Sequence, residues 1–196
     1  MCKTSTPTSR STTTPLRSAI RPARILGVDP GSLVTGWGLV ESVSNRCRLV
    51  DCSVIRTEGK NCTLAERLSR LYAELEAVVR AAEPSAAAVE SPFHGANARS
   101  ALQLAHARGV VLAVLGAAGV SVAEYTPATV KKSVTGDGRA GKEQVRRMVS
   151  HLLGRVRLGG SRDLSDALAV ALCHAAAAPR IEALRRAEGG RRPGMA

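Results

Sequence analysis

The stretch RILGVDPGSLVTGWGLVESV, residues 24–43, decides the fold. Ile25-Leu26-Gly27-Val28 is a short apolar run, and residues 24–29 read as a buried strand. Gly36 to Val43 reads as a second strand, and the glycine-rich turn PGSLVTG joins the two. Cys47 to Ile55 supplies a third after a polar turn. Three consecutive strands with short links predict an antiparallel meander. Asp29 closes the first strand, directly before Pro30-Gly31. Taken alone, Asp-Pro-Gly is more often a turn than a catalytic centre.

Downstream, Thr63 is placed to cap a helix with Glu66 at the capping-box position. Leu64, Leu68, Leu71, Leu75 and Val78/Val79 recur at helical spacing, and Pro84 closes the pattern. A fourth strand spans 86–90, ending on Glu90, and the loop Ser91-Pro92-Phe93-His94-Gly95 follows. A long helix rich in small residues runs from Asn97 to about Ala118, and a fifth strand covers Ser121 to Tyr125. Pro127 suits the first turn of a short helix. A further helix starts at Gly141-Lys142-Glu143 and reaches Leu153, and the last covers Leu164 to Ala178, with Pro179 as its stop. The order βββ-α-β-α-β-α-α, with the short Pro127 helix between the last strand and the final pair, predicts an α/β fold. Its sheet is mixed and five-stranded, a meander followed by parallel crossovers, and helices flank it. Ligands in such sheets gather at strand ends near the topological switch, where Asp29 and Glu90 fall.

Asp163 and Asp166 open the last helical pattern three residues apart, on one face. With Asp29 and Glu90 they form a set of four carboxylates that such a fold can bring together. Each has an ordinary reading when taken singly: a turn, a solvated strand end, a helix cap. Jointly they make a metal site the better reading, because clustered carboxylates repel unless a cation lies among them. Hard oxygen ligands suit Mg²⁺ or Mn²⁺.

The net charge of +12 is unevenly spread. Residues 1–24 hold five basic groups and no acid, and residues 180–196 hold five basic and two acidic. Residues 130–162 hold nine basic and two acidic, so positive charge concentrates just before Asp163. A positive stretch beside an acidic cluster suits a metal-dependent nuclease, with cations for flanking phosphates and carboxylates for metal; a solvated charged face is the plain alternative.

With 196 residues, 44% of them hydrophobic but only 2% aromatic, the core is expected to be aliphatic and alanine-rich. No run approaches the roughly 18 apolar residues of a membrane helix. The start has no apolar signal core; its Ser/Thr/Arg-rich, acid-free composition reads as a disordered tail, with an organelle transit peptide as the alternative. The five cysteines, with no C-x-x-C, fit reduced thiols and a cytoplasmic location rather than zinc or disulfides. The domain reading is a basic extension over 1–23, one nuclease domain over 24–179 and a flexible basic tail over 180–196.

The blocks RILGVDPGSLVTGWG, AAVESPFHGANARSALQLAHARGV, VKKSV, GKEQV and DLSDALAVALCHA together resemble the RuvC family of Holliday-junction resolvases, within the RNase H-like superfamily. The resemblance implies that Asp29, Glu90, Asp163 and Asp166 are catalytic and hold two Mg²⁺, with Mn²⁺ as a substitute. It implies paired symmetric nicks in a four-way DNA junction by a homodimer, leaving 5′-phosphate and 3′-hydroxyl ends, in recombination and repair. It also implies work alongside the RuvA/RuvB branch-migration complex. Phe93, the only phenylalanine, takes the place of an aromatic that stacks on bases at the junction. Lys131 and Lys142 match basic positions facing the scissile backbone, with Lys132 and Arg139 as further candidates. Ala96 stands where family members often carry a basic residue, and His94 and His106 are not needed as ligands. The small-residue helix from Asn97 is the expected dimer contact.

Rival readings have different signatures. Actin-like ATPases also open on Asp-x-Gly and a glycine turn but need two such domains. The RNase H-like nucleases of ribosomal RNA processing are shorter and match the 90–110 block poorly. A non-catalytic junction-binding protein has no need of four intact carboxylates.

Overall fold

The structure is a computed structural model that describes residues 22–44, 46–59, 62–91, 98–158 and 162–189. The elements are β1 (Ala23–Asp29), β2 (Val34–Val43), β3 (Arg46–Arg56), α1 (Leu64–Ala82), β4 (Ala86–Glu90), α2 (Ala98–Ala117), β5 (Ser121–Tyr125), α3 (Pro127–Thr135), α4 (Lys142–Leu152) and α5 (Arg162–Gly189). The sheet order is β3-β2-β1-β4-β5. β1–β2 and β2–β3 pair antiparallel, while β1–β4 and β4–β5 pair parallel. This is the expected meander with parallel crossovers.

Local chemistry accounts for the boundaries. Thr63 and Glu66 form the full capping box at the head of α1. Pro127 occupies the first turn of α3, where its missing N–H is not needed, and Gly136 closes that helix at φ 82°. One stop signal failed. Pro179 lies inside α5, which continues to Gly189. A proline removes one backbone hydrogen bond and crowds the preceding turn, but Glu-Ala-Leu-Arg-Arg-Ala-Glu beyond it favours helix strongly enough to resume.

Two apolar layers cover the sheet. On one face Leu26, Val28, Trp37, Leu39, Ala87 and Val89 pack under α1 and α2. On the other, Ile25, Val40 and Ala88 meet α3, α4 and the length of α5. Apart from Trp37 the core is aliphatic, as the composition required.

The α5 face of the sheet is floored with glycine. Gly27 lies opposite Gly38, and Asp29 opposite Gly36, across the β1–β2 ladder. A Cβ on Gly27 would stand 2.1 Å from the Ala167 carbonyl oxygen, and one on Gly36 would stand 2.2 Å from that of Asp163. The backbone of α5 therefore rests directly on β1 and β2. That seating carries its first turn to the end of β1.

Two helices correct the expectation that no membrane-length apolar segment exists. Ala98–Ala117 and Asp163–Ile181 are both long and apolar enough to cross a bilayer by length and composition. Alanine, valine and leucine raise their mean hydropathy even though polar residues interrupt each run. In the second, 56% of the window is buried, spent on the sheet and on α3 and α4. The first is only 22% buried.

Among the described residues Cys47, Cys52, Cys62 and Cys173 are free thiols. Phe93, His94, Ala96, Asn97, the extension through residue 21, and residues 190–196 lie outside the described residues.

Candidate active site

Asp29 and Glu90 are the last residues of adjacent parallel strands, in a register that pairs Val28 with Val89. Side chains alternate along a strand, so both carboxylates point to the face that holds Gly27 and Ala88, toward α5. Asp163 and Asp166 lie in the first turns of α5, where the helix dipole favours negative charge. The carbonyl of Asp163 sits against Gly36, the partner of Asp29. Asp29, Glu90 and Asp166 line one cavity of about 260 Å³, with Lys131 of α3 and Lys142 of α4 on its wall.

Three of the acids are raised above the ordinary carboxylate range. The Asp29 carboxyl is pushed up to about 8, first by burial and then by repulsion from Glu90, Asp166 and Asp163. Burial also raises Glu90, and the charge of Asp166 adds to it, while Lys142 and Lys131 pull it down. Asp166 is raised by burial and by Asp163, again against the two lysines. Lys142 Nζ stands 3.9 Å from Asp166 Oδ2, its own side chain 70% exposed. It is free to turn from Asp166 toward an incoming anion.

The loop after Asp29 is braced from three directions. Thr35 Oγ1 accepts from Gly31 N–H and donates to Gly31 carbonyl, both at 3.3 Å. The Thr57 backbone N–H and hydroxyl both donate to the Leu33 carbonyl, at 2.9 and 3.2 Å. Arg67 of α1 donates to the Ser32 carbonyl. Gly31 leaves no room for a Cβ, which would strike the Val34 carbonyl oxygen at 1.8 Å. The D-P-G-x-x-x-T-G-W-G block thus writes out one strand end, its braced loop and the glycine floor for α5.

The donor set suits a divalent cation: four carboxylates of hard oxygen, of which Asp29, Glu90 and Asp166 are deprotonated only at a cost that a cation removes. Among the described residues no three His, Cys, Asp or Glu side chains converge as a ready-made cage.

Of the remaining candidates, Lys132 and Arg139 are exposed and lie off the cavity wall; the Arg139 N–H is engaged by Asp137 Oδ1 at 2.9 Å. His106 is exposed on α2. Sequence reasoning missed the arginines at the strand ends. Arg67 holds the Asp29 loop, and Arg108 of α2 pairs with Glu124 of β5. Their only sequence signal was an arginine on an otherwise apolar helix face. A larger cavity of about 400 Å³, lined by Leu152, Leu172 and Ala175 among others, lies away from the carboxylates.

Comparison with known proteins is consistent across sequence and structure. A family model described as "Crossover junction endodeoxyribonuclease RuvC" matches residues 25–174. A protein of that name from Nitratidesulfovibrio vulgaris (strain Hildenborough) is 49% identical over 150 residues, 76% of this chain and 89% of the relative. Its counterpart in Roseiflexus sp. (strain RS-1) is 45% identical over 168 residues, 86% of this chain and 98% of the relative. Among solved structures, T. thermophilus RuvC in complex with Holliday junction substrate superposes with TM-score 0.75 at 34% identity, covering 82% of this chain and 96% of that one. The yeast mitochondrial Holliday junction resolvase Ydc2, 12% identical with TM-score 0.60, shares the fold.

Proposed function

The chain belongs to the RuvC family of crossover junction endodeoxyribonucleases, and we propose that it resolves four-way DNA junctions by hydrolysing phosphodiester bonds at Asp29, Glu90, Asp163 and Asp166. One observation carries the reading: three mutually repelling carboxylates share a cavity with two lysines at the switch point of the sheet. A cluster of carboxylates raised by burial and by one another is unfavourable for folding and is explained by what it binds.

The roles follow from placement. Asp29, held by its braced loop, and Glu90, at the end of β4, form the fixed floor of the site. Asp163 and Asp166 close it from α5. Two Mg²⁺ ions, or Mn²⁺ in their place, would supply the Lewis acidity that activates water and stabilises the leaving 3′ oxygen. Lys131 and Lys142 meet the phosphate oxygens next to the scissile bond, and Lys142 exchanges Asp166 for the DNA. The products are 5′-phosphate and 3′-hydroxyl ends.

A two-fold symmetric junction cut on opposed strands calls for two symmetric sites, hence a homodimer. The under-buried apolar helix α2 supports that assembly. Its exposed face carries Leu102, and a Cβ at Gly109 or Gly116 would meet nothing within 4 Å, so a second copy can approach closely. Phe93 stacks on a base near the cut, Lys132 and Arg139 contact flanking backbone, and the catalytic domain runs from 24 into α5, which passes residue 179 and continues to Gly189. Family membership supports a partnership with the RuvA/RuvB complex.

The test is cleavage of a synthetic four-way junction beside linear duplex and single strand of the same sequences. Paired nicks confined to the junction support the reading. Equal cutting of all three, or RNA cleaved in preference to the junction, overturns it.

A further inference from the structure

We propose that Arg108 is a positioning residue for Glu90, acting across the sheet through Glu124 and Ser91. The proposal rests on the nuclease reading and adds residues from the sheet face opposite α5.

Glu90 is the last residue of a five-residue strand. It pairs with Tyr125 in the parallel ladder, but past it the chain leaves β4, so the aim of its side chain depends on how the next residue is held. Ser91 provides the next anchor. Its backbone N–H donates to the Tyr125 carbonyl at 2.8 Å, extending the β4–β5 pairing by one residue. Its hydroxyl donates to Glu124 Oε2 at 3.1 Å. Glu124 lies opposite Val89 in the parallel register, so its side chain projects to the α2 face. There the Arg108 guanidinium donates to the same Oε2. Arg108 and Leu104, one turn apart on α2, also line a small cavity of about 60 Å³ with Asp29, Pro30 and Glu90. Arg108 therefore reaches the rear of the carboxylate pair and holds the group that holds Ser91.

Stability alone explains this arrangement poorly. The side chains of Arg108 and Glu124 are 25% and 42% exposed, and pairs this open to water contribute about 0–1 kcal/mol. Arg108 Nε is buried without a partner among the described residues, an arrangement that favours neither folding nor solvation. What the latch does is fix the exit of β4. Groups that orient a metal-binding side chain change affinity or rate by about 10–100-fold when removed.

The experiment compares wild type with Arg108→Ala, Glu124→Ala, their double variant, Ser91→Ala and Arg108→Lys. Three quantities are read: single-turnover junction cleavage, junction affinity, and Mn²⁺ binding to the DNA-free protein by titration calorimetry. The expected result is a loss of about 10–100-fold in rate for each alanine variant. The double variant should be no slower than the slower single, because all act along one path. Junction affinity should stay within about twofold, Mn²⁺ binding should weaken, and Arg108→Lys should recover most of the rate. Arg80→Ala, which breaks the exposed Arg80–Glu76 pair on α1, should change none of these. Wild-type rate in Arg108→Ala overturns the proposal. So does a loss of junction affinity in Arg108→Ala but not in Glu124→Ala, which makes the arginine a phosphate contact. Should Arg108→Ala fail to fold, Ser91→Ala decides, since it removes one hydroxyl and leaves the ion pair; full activity there also overturns the proposal. An inactive wild type defeats the nuclease reading instead, and the Mn²⁺ titration then judges the positioning role by itself.

Discussion

Gly36→Ala tests how α5 delivers its carboxylates. A Cβ at Gly36 meets the Asp163 carbonyl oxygen at 2.2 Å, its carbonyl carbon at 2.7 Å and its own Cβ at 3.1 Å. Ordinary contact begins at 3.4 Å, so the first turn of α5 must recede by roughly 1.2 Å, and backbone cannot rotate away as a side chain can. Overpacking of this kind costs about 1–3 kcal/mol, which for a chain of this size lowers the melting temperature by about 2–4 °C per kcal/mol. The larger effect falls on chemistry. A displacement of about 1 Å between reacting groups costs about 100-fold in rate, and here Asp163 and Asp166 withdraw from Asp29 and Glu90 together. Gly38→Ala is the matched comparison. Its Cβ clashes with the Leu168 side chain, at 2.5 and 2.7 Å, and meets the Leu168 Cα at an ordinary 3.5 Å, so a side chain rather than backbone must give way. It should therefore lose stability but stay within several-fold of the wild-type rate. Thermal unfolding and single-turnover cleavage on both variants complete the test. A Gly36→Ala protein that melts with wild type and cuts within twofold of it refutes the idea that the glycine floor sets the site.

Three further outcomes are expected. The Asp29 carboxyl is raised to about 8, so its contribution to stability is fully present below pH 4 and lost as pH rises toward and through 8; metal-free protein in EDTA should melt progressively lower between pH 5 and 8.5, by a few kcal/mol at most, and Asp29→Asn should flatten that decline. A flat profile for the wild type would show that the cluster is not strained. Lys142→Ala removes a charge that lowers Asp29, Glu90 and Asp166; the acidic limb of the cleavage-pH profile should move to higher pH, and the rate at neutral pH should fall about 10-fold or more, whereas an unmoved limb would place Lys142 outside the electrostatic network. A chain starting at Ala23 should cut at the wild-type rate at saturation but bind plain duplex more weakly, with a shallower salt dependence, because residues 1–22 carry four basic groups and no acid; lost cutting at saturation would make the extension part of the folded nuclease.

Much of this was legible in the sequence because the signals were local. Apolar runs ending in Asp29 and Glu90, the Thr63–Glu66 capping box and Pro127 at a helix start each fix a boundary through neighbouring residues alone. The glycines at 36 and 38 were visible too, but only as parts of a strand. That they clear a path for α5 depends on register with β1, which no local pattern encodes. Pro179 misled for the opposite reason, since a local breaker was outweighed by the helix formers after it. Arg67, Arg108 and Glu124 were invisible as a group because each lies far along the chain from the loop it braces. The gathering of Lys131 and Lys142 on the cavity wall follows from the rotation of α3 and α4 on α5, which turns Lys132 away, while Arg139 lies in the loop between the two helices; both are tertiary properties.

The central claim is that the carboxylate cluster is the catalytic centre and that junction affinity comes from elsewhere. It is tested most directly by measuring single-turnover cleavage of a four-way junction in Mg²⁺ by Asp29→Asn, Glu90→Gln and Asp166→Asn, with junction binding followed in the same samples. The account predicts binding as tight as wild type or tighter, because negative charge facing the phosphates is removed, together with no detectable cutting. Cleavage by any of the three at more than about a few per cent of the wild-type rate, well above the residual left when a metal-binding group is lost, would contradict it.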